Sequence, residues 1–258
     1  MIIRTSCMSN IGGRATNDDT ASIYQEPGKA WVYVGDGLGS YAGGKRASKT
    51  AGDKLLELAK KGSMLPDGAM ASAAAAADKA VKDLQKATGG NMKTTLTFLA
   101  VEGDQARWMH VGDSRIYHFR HGKLLSQTTD HSVSQMAVFM GEITVHQIRF
   151  HEDRNRVLRA LGGDNARADV SVVTGVQEGD AFLLCSDGFW EYVYENEMEL
   201  TLQQAQSPKD WIRRMEKIHG PRTEKGNDNF TAAAVIIGRP APKEEEKKSF
   251  FRKLFNRD

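Results

Sequence analysis

The order of its predicted elements places this sequence in the α+β class. Two long helical patterns, at 43–61 and 66–88, follow an N-terminal region of short strand patterns and turns. Strand patterns then run together between 94 and 127, and two more helical patterns precede a last strand at 230–237. Because strands and helices come in separate runs, the sequence lacks the strand–helix alternation that is typical of a parallel sheet.

The remaining elements follow from apolar alternation and turn residues. His121-Gly122 separates two strand patterns and predicts a hairpin. Residues 130–169 are polar and mixed in period, which predicts an inserted flap or short helices rather than core. The other predicted strands are 94–101, 105–111, 115–120, 123–127, 170–174 and 181–186, and the last two predicted helices are 195–205 and 208–219.

Length and composition limit the function classes. The 258 residues, of which 40% are hydrophobic and 26% charged, are typical of one globular domain. We assign this domain to residues 1–238, and we expect the protein to be a monomer. A formal charge of +2 is too small to predict a nucleic-acid partner. Cys7 and Cys185 lie in apolar contexts and are expected to be buried free thiols. With no signal-peptide core and no membrane-spanning run, a reducing cytoplasmic location is expected.

The composition changes after Gly238. Residues 239–258 carry seven basic and four acidic side chains, a net charge of +3, and begin as a charged linker. On a helix, the apolar side chains of the last ten residues would share one face. We interpret 247–257 as a segment that docks on a partner protein or an anionic membrane surface, with a disordered end as the alternative. The apolar residues are Phe250, Phe251, Leu254 and Phe255.

Aspartates beside glycine or asparagine mark the ends of the predicted strands. Asp36, Asp113 and Asp187 follow apolar strand patterns, and Asp228 precedes the last one. Carboxylates at strand ends, next to glycines that let the backbone approach an ion, gather oxygen ligands from distant parts of a chain. Several carboxylates around one point repel each other unless a divalent cation neutralises them. The pattern therefore predicts a Mg²⁺ or Mn²⁺ site with more than one ion.

Such a site is suited to phosphoryl chemistry. Two ions about 3.5–4 Å apart can activate a water and aim it at a phosphoryl group. Asp36 is a candidate to bridge the ions, the carbonyl of Gly37 to add a ligand, and Arg14 to hold phosphate oxygens through its planar guanidinium. Two simpler interpretations stay open: Arg14 as a surface residue capping a turn, and Asp113 as bonded to the turn at 114–115.

Taken together, the motifs resemble those of the metal-dependent serine/threonine protein phosphatases of type 2C, with bacterial character. The resemblance covers about Thr5 to Gly238, and the motifs stand in the family's order at compatible spacing. Each motif alone is weak, because Asp-Gly is more often a simple turn. The motifs are Arg14-x-x-Asn17-Asp18-Asp19, Asp36-Gly-Leu-Gly39, Gly112-Asp-Ser-Arg115, Asp130-His-Ser132, Arg159-Ala-Leu-Gly162, Ser186-Asp-Gly188 and Gly226-Asn-Asp-Asn-Phe-Thr231.

The resemblance implies a fold, an activity and a first set of roles. The fold is a central antiparallel β-sandwich flanked by antiparallel helix pairs, with a flap at about 131–155 that influences substrate choice. The activity is hydrolysis of phosphoserine and phosphothreonine on proteins by a metal-activated water, reversing a cognate Ser/Thr kinase. Asp36 is implied to bridge two metals, Asp187 and Asp228 to complete the first metal site, and Arg14 to bind phosphate.

The resemblance also implies a second site and a third, weaker one. Asp18 and the carbonyl of Gly37 serve the second metal, with Asp19 in support. Asp113, together with Glu191, forms the third site, so that two or three Mn²⁺ or Mg²⁺ ions are expected.

Three positions depart from the family's pattern. Asp18 stands where the family usually has Glu, and its shorter reach predicts a looser second metal. Lys93 precedes Thr94-Thr95 where the family prefers glycine. Leu38 occupies the place of a proposed acid histidine in animal members, whereas bacterial members have an apolar residue there.

Two other functions compete with an active protein phosphatase. A pseudophosphatase would keep phosphoprotein binding without turnover, which the departures at Asp18 and Lys93 favour and the retained Asp36, Asp187 and Asp228 oppose. A two-metal phosphoesterase acting on nucleotides or nucleic acid is disfavoured by the near-neutral body and by the lack of aromatic residues near basic clusters.

Overall fold

Two antiparallel β-sheets form the centre of the computed structural model, which describes residues 1–39, 43–223 and 225–238. The strands are β1 (Ile2–Asn10), β2 (Thr20–Glu26), β3 (Lys29–Gly35), β4 (Gly37–Leu38), β5 (Lys93–Thr94), β6 (Leu96–Glu102), β7 (Gln105–Val111), β8 (Arg115–Arg120), β9 (Lys123–Gln127), β10 (Asp169–Val170), β11 (Thr174–Gly175), β12 (Asp180–Cys185) and β13 (Phe230–Gly238). The α-helices are α1 (Gly43–Ala59), α2 (Ala69–Thr88), α3 (Val133–Phe139), α4 (Asp187–Trp190), α5 (Glu195–Gln204) and α6 (Pro208–His219), with 3₁₀ turns at Val145–Phe150 and Gly220–Arg222.

The strand order defines the two sheets. The first sheet has the order β1-β13-β12-β8-β9, and the second has the order β10-β7-β6-β3-β2, with β11 also paired to β7. The short strands β4 and β5 pair only with each other. All of these pairs are antiparallel, as the separate runs of strand patterns predict.

Side chains alternate between the two faces of each sheet. In β13, Val235 packs between the sheets, while Ala234 packs on the outer side against the last helices. In β3, Val32 packs between the sheets, and Tyr33 packs outwards against α1 and α2. This period of two gives each sheet two apolar faces, which must both be covered.

Helices cover the two outer faces. The first pair, α1 and α2, packs on the second sheet, where Ala73 and Ala77 are buried and allow close approach. The other pair, α5 and α6, packs on the first sheet through Met198 and Trp211. The predicted four-layer arrangement of helices, sheet, sheet and helices is confirmed. None of the helices in the described ranges combines the length and apolar character needed to cross a bilayer.

Some local expectations were wrong. The strand predicted at 94–101 is divided, because the main-chain N–H of Thr95 donates to the carbonyl of Asp36 at 2.8 Å and holds β5 on β4. The strand predicted at 170–174 is two short strands that both pair with β7. Cys7 and Cys185 are free as expected, but Cys7 is exposed because it lies on the edge strand β1.

The topology brings the strand ends that carry aspartates to one edge of the sandwich. Strands β3 and β7 both run antiparallel to β6, so the chain leaves them at the same side, towards Asp36 and Asp113. In the first sheet, Cys185 at the end of β12 lies opposite Ala232 near the start of β13, so Asp187 and Asp228 lie close together. The segment from Asn10 to Thr20 crosses from one sheet to the other at this edge.

Candidate metal centre

Asp36 lies at the centre of a group of carboxylates. Its main chain is fixed by β5: the N–H donates to Thr95 Oγ1 at 2.8 Å, and the carbonyl accepts from Thr94 Oγ1 at 2.9 Å. Burial raises the pKa of Asp36 well above its usual range, and repulsion from nearby carboxylates adds to the effect. These carboxylates are Asp187, Asp19, Asp113 and Asp228. The structure therefore brings the strand-end aspartates together.

Asp18 and Asp19 reach the group from the segment that crosses between the sheets. The N–H of Asp18 donates to Asn229 Oδ1 at 2.8 Å, and its carboxylate accepts from the N–H of Lys45 at 3.2 Å. Asp19 accepts from Ser186 Oγ at 2.7 Å through Oδ2, while its buried Oδ1 has no partner among the described residues. Burial raises the pKa of Asp19 to about 6.

Gly37 and Gly44 allow α1 to approach the group closely. A Cβ on Gly37 would lie 2.1 Å from the carbonyl oxygen of Gly44, and a Cβ on Gly44 would lie 2.4 Å from that of Gly37. Neither position has room for a larger residue. The main chain of Gly37 is thereby held beside Asp18, whose carbonyl oxygen is 2.6 Å from the same Cβ position on Gly37.

Asp113 is the most isolated member of the group. Its side chain is 2% exposed, and neither carboxylate oxygen has a hydrogen-bond partner within the described ranges. Burial raises its pKa to about 7, and repulsion by Asp130 contributes. The simpler interpretation of Asp113 as bonded to the turn at 114–115 is therefore wrong. Its main-chain carbonyl instead accepts from the indole N–H of Trp190 at 3.0 Å.

Asp187 and Asp228 flank the start of β13. Asp187 Oδ1 accepts from the N–H of Gly188 at 2.7 Å, and burial together with repulsion from Asp113 raises the Asp187 pKa well above its usual range. A Cβ on Gly188 would lie 2.1 Å from the carbonyl oxygen of Asn229, so glycine is needed where these two segments touch. The motif Ser186-Asp187-Gly188 is thus fixed against the motif that contains Asp228.

Arg14 and Arg154 are each already paired with a carboxylate beside the group. Arg14 Nε and Nη2 donate to the two oxygens of Asp228 at 3.1 and 2.8 Å, in a pair whose side chains are 53% and 44% exposed. Arg154 pairs with Glu191 at 3.2 Å. The guanidinium of Arg14 therefore holds the carboxylate of Asp228 rather than capping a turn, and its predicted contact with phosphate stays a prediction.

These residues border an open cleft of about 190 Å³. Arginine, lysine and carboxylate side chains line it together, so an anion and cations could be held side by side. A larger cleft of about 870 Å³ lies between α2 and residues 164–170 and contains none of the predicted ligands. The smaller cleft is lined by Arg14, Arg154, Asn155, Asp187, Glu191, Tyr192, Lys225, Gly226, Asn227 and Asp228.

The charges of the group fit divalent cations. Asp19, Asp36, Asp113 and Asp187 form no ion pair with a basic residue in the part of the chain that the structure describes. The ammonium of Lys45 lies nearby, but it donates to the main-chain carbonyl of Asp19. Buried carboxylate oxygens without partners are costly unless a cation binds them, and oxygen-rich sites suit Mg²⁺ and Mn²⁺.

A second group of possible metal ligands forms hydrogen bonds with other residues of the protein. His110, His131 and Asp169 have ligand atoms within 4.8 Å of one another. However, His110 Nε2 bonds the Thr129 carbonyl at 2.8 Å, and Asp169 binds both His131 at 3.1 Å and Arg159 at 3.1 Å. The positive charge of Arg159 and the stacking of the two imidazoles, with ring centres 4.6 Å apart, favour a structural role.

Sequence reasoning missed the residues that hold the aspartates in place. Thr95, Ser186 and Asn229 each donate to or accept from the main chain or side chain of a predicted ligand residue. Ser186 and Asn229 lie inside two of the sequence motifs described above, so those motifs could have predicted that both residues contact the aspartates. Asn155 and Lys225 line the cleft without any such signal.

Comparison with known proteins gives consistent matches. Residues 8–229 match the sequence model of the family described as protein phosphatase 2C. The chain is 32% identical over 218 residues, 81% of its length, to serine/threonine protein phosphatase PstP of Mycobacterium tuberculosis, and spans 40% of that relative's length. It is 29% identical over 207 residues, 75% of its length and 80% of the relative's, to serine/threonine phosphatase stp of Listeria welshimeri.

A solved structure matches the architecture as well. The catalytic domain of PstP, determined in complex with two manganese ions, aligns with a TM-score of 0.78 at 27% identity. The alignment covers 92% of this chain and 99% of that domain. The order of sheets and helices described above is therefore shared with a manganese-binding relative.

Proposed function

The chain belongs to the protein phosphatase 2C family, and on that basis we propose that it is a metal-dependent serine/threonine protein phosphatase. The observation that carries this proposal is the set of four carboxylates, Asp19, Asp36, Asp113 and Asp187, that have no basic partner among the described residues. Such a set is suited to Mn²⁺ or Mg²⁺, and the Mn²⁺ complex of PstP supports manganese. Residues 1–238 would form the catalytic domain.

The proposed ligand roles follow the family pattern. Asp36 would provide ligand oxygens to both ions, and Asp187 and Asp228 would complete the set that holds the first. Asp18 and the carbonyl of Gly37 would hold the second ion. Bound at this site, two divalent ions would supply positive charge at the phosphoryl group and activate the attacking water.

The remaining acids support this arrangement. Asp19, held by Ser186, keeps negative charge beside Asp36. Asp113, with Glu191, forms a third and weaker site, because Glu191 is already paired with Arg154. The isolation of both Asp113 oxygens supports its place in this set.

Arg14 is proposed to bind and orient the phosphoryl group. Its guanidinium is half-exposed on the rim of the cleft, and Nη1 has no hydrogen bond to a described residue. The planar fork can therefore contact a phosphate oxygen while it still touches Asp228. Leu38, beside the site, cannot donate a proton, so the leaving group would take its proton from solvent.

The flap is proposed to lie at 131–155 and to contact the protein substrate. It contains α3 and the 3₁₀ turn at Val145–Phe150. Phe139, Met140 and Phe150 are 67%, 65% and 74% exposed, an unusual density of exposed apolar side chains. Such side chains suit contact with a protein rather than with a small phosphate ester.

The substrates, the oligomeric state and the cellular location of the protein are also part of the proposal. We propose phosphoproteins as substrates, a cognate Ser/Thr kinase as the opposing enzyme, a monomeric state, and a cytoplasmic location, which the unpaired thiols support. The tail at 239–258, with its predicted docking segment 247–257, lies outside the described residues.

The proposal is tested by turnover of an aryl phosphate and a phosphothreonine peptide, each with Mn²⁺, with Mg²⁺ and in excess chelator. We expect turnover with metal and none in chelator. Tight peptide binding without turnover in any metal would instead identify a pseudophosphatase. Undiminished turnover in chelator would contradict a metal-dependent mechanism.

A further inference from the structure

A second cleft opens directly beside the carboxylate group. It has a volume of about 390 Å³ and shares Asn155 with the cleft that contains Arg14. Leu38, two residues after Asp36, forms part of its wall, so the second cleft lies next to the proposed metal centre and meets the first cleft at Asn155. The second cleft is lined by Leu38, Lys93, Asn155, Val157, Leu158, Ala160, Gly163, Asp164 and Asn165.

Main-chain hydrogen bonds fix both walls of this cleft. On one side, Lys93 lies opposite Leu38 in the β4–β5 pair. On the other side, Thr94 and Leu161 exchange two main-chain hydrogen bonds, at 3.1 and 2.9 Å. The N–H of Leu158 donates to the carbonyl of His131 at 2.7 Å. The cleft is therefore formed before any substrate binds, which lowers the cost of ordering on binding.

Lys93 is the basic residue of this cleft and Asp164 its acidic one, and the two form no ion pair with each other. The ammonium of Lys93 forms no ion pair with a described acid, whereas Lys82 on α2 pairs with Asp78 at 2.8 Å. Its aliphatic stem passes over Gly163, where a Cβ would lie 3.7 Å from Lys93 Cδ. The stem is thus supported by packing while the charge stays available.

From this arrangement, we propose that Lys93 is a specificity-determining residue that binds an anionic side chain flanking the phosphoresidue of the substrate. The proposal rests on the phosphatase function proposed above. An extended peptide advances about 3.3 Å per residue, so a peptide whose phosphoryl group lies at Arg14 can run past Asn155 and place a neighbouring side chain at Lys93. The anionic group is a carboxylate or a second phosphoryl group. Leu38 and Leu158 would contact the apolar part of the peptide.

The test compares matched phosphothreonine peptides. In each, one position within three residues of the phosphothreonine carries Glu, a second phosphothreonine, Lys or Ala. The rate constants kcat/KM are measured for the native protein, for Lys93→Ala and for Lys93→Glu. Lys209→Ala removes an exposed lysine on α6 that does not line the cleft and forms no ion pair with a described acid, and it serves as the matched control. Aryl phosphate turnover reports the integrity of the metal centre in every variant.

We expect the native protein to prefer an anionic residue at one position by about tenfold, which corresponds to one well-placed charge contact. Lys93→Ala should remove this preference, mainly through KM, and Lys93→Glu should reverse it in favour of Lys at that position. The control should keep the native preference. Preference for Glu or for the second phosphothreonine identifies which anion is recognised.

An unchanged preference in Lys93→Ala would overturn the proposal, and so would an equal fall for anionic and neutral peptides. If the native protein turns over neither aryl phosphate nor any peptide, the proposed function itself is wrong. The two failures are therefore distinguishable.

Discussion

Two groups of buried charges lie at the same edge of the sandwich and are built in opposite ways. In the first group, Arg115 binds Asp130 through two hydrogen bonds at 2.8 and 2.7 Å, with both side chains 1% exposed. Arg149 binds Glu195 at 2.8 Å, and Arg115 lies 3.7 Å from the same carboxylate. Two cations thus balance two anions. The second group is the carboxylate cluster around Asp36, which has no such balance.

Asp113 illustrates the difference most clearly. It lies two residues before Arg115 in sequence, yet the guanidinium points to Asp130 and stacks over the Trp190 ring at 3.4 Å. Asp113 is left with two buried oxygens and no partner within the described ranges. The nearby guanidinium of Arg115 therefore does not neutralise the Asp113 carboxylate. The Arg115 group is thus neutral within itself, whereas the carboxylate cluster keeps a negative charge that the proposed divalent cations would neutralise.

The largest expected effect follows from removing the central charge of the carboxylate cluster. Asp36→Asn should lower turnover about a thousandfold or more, because one residue is proposed to serve both ions. The measurement is kcat on aryl phosphate at saturating Mn²⁺, with bound metal counted in parallel. Near-native turnover by this variant would show that the centre of the site lies elsewhere.

The next prediction concerns the Arg115 group, in which two cations balance two anions. Asp130→Asn should remove the bidentate partner of the buried Arg115, leaving only Glu195 at 3.7 Å, and lower the free energy of unfolding by about 3–5 kcal/mol. Chemical denaturation in chelator measures this change without any contribution from metal. A loss below about 1 kcal/mol would mean that the two groups do not differ in their structural role.

Arg14 tests the part of the carboxylate cluster in which Asp228 does have a basic partner. Arg14→Ala should lower kcat/KM about tenfold to a hundredfold, because it loses a charged contact with phosphate. Its effect on stability should be below about 1 kcal/mol, since the pair with Asp228 is half-exposed. Arg14→Lys should restore activity only in part. Unchanged kcat/KM in Arg14→Ala would leave Arg14 as a structural partner of Asp228 alone.

The smallest expected effect has the opposite sign from Asp130→Asn. Asp113→Asn should stabilise the protein in chelator at neutral pH by about 1–2 kcal/mol, because burial raises the pKa of Asp113 to about 7 and its negative charge disfavours folding. Thermal unfolding in chelator checks the sign. Destabilisation comparable to that of Asp130→Asn would mean that Asp113 has a structural partner.

The sequence predicted the clustering of the aspartates better than the contacts that hold them in place. The closeness of Asp36, Asp113, Asp187 and Asp228 could be predicted because each stands next to an apolar strand pattern, and alternate strands of an antiparallel sheet end at the same edge. The pairing of Arg14 with Asp228 could not be found, because the two residues are 214 positions apart and no local pattern links them.

Local competition explains the remaining errors. The apolar pattern at 94–101 is continuous, yet Thr94 and Thr95 bind the main chain around Asp36 and divide the strand. The role of Lys93 depends on the same local structure, since its position across from Leu38 arises only when β5 leaves the main sheet. Such features depend on tertiary contacts and not on periodicity.

The most direct test of the account is to count the divalent ions that the carboxylate cluster binds. Protein stripped with chelator is titrated with Mn²⁺ in a calorimeter, alongside Asp36→Asn and Asp130→Asn at a temperature where both are folded. The account predicts at least two ions per native chain, loss of the tight ions in Asp36→Asn, and native stoichiometry in Asp130→Asn. Absence of Mn²⁺ binding to the native chain, or equal binding by Asp36→Asn, would contradict the claim that this cluster is neutralised by metal.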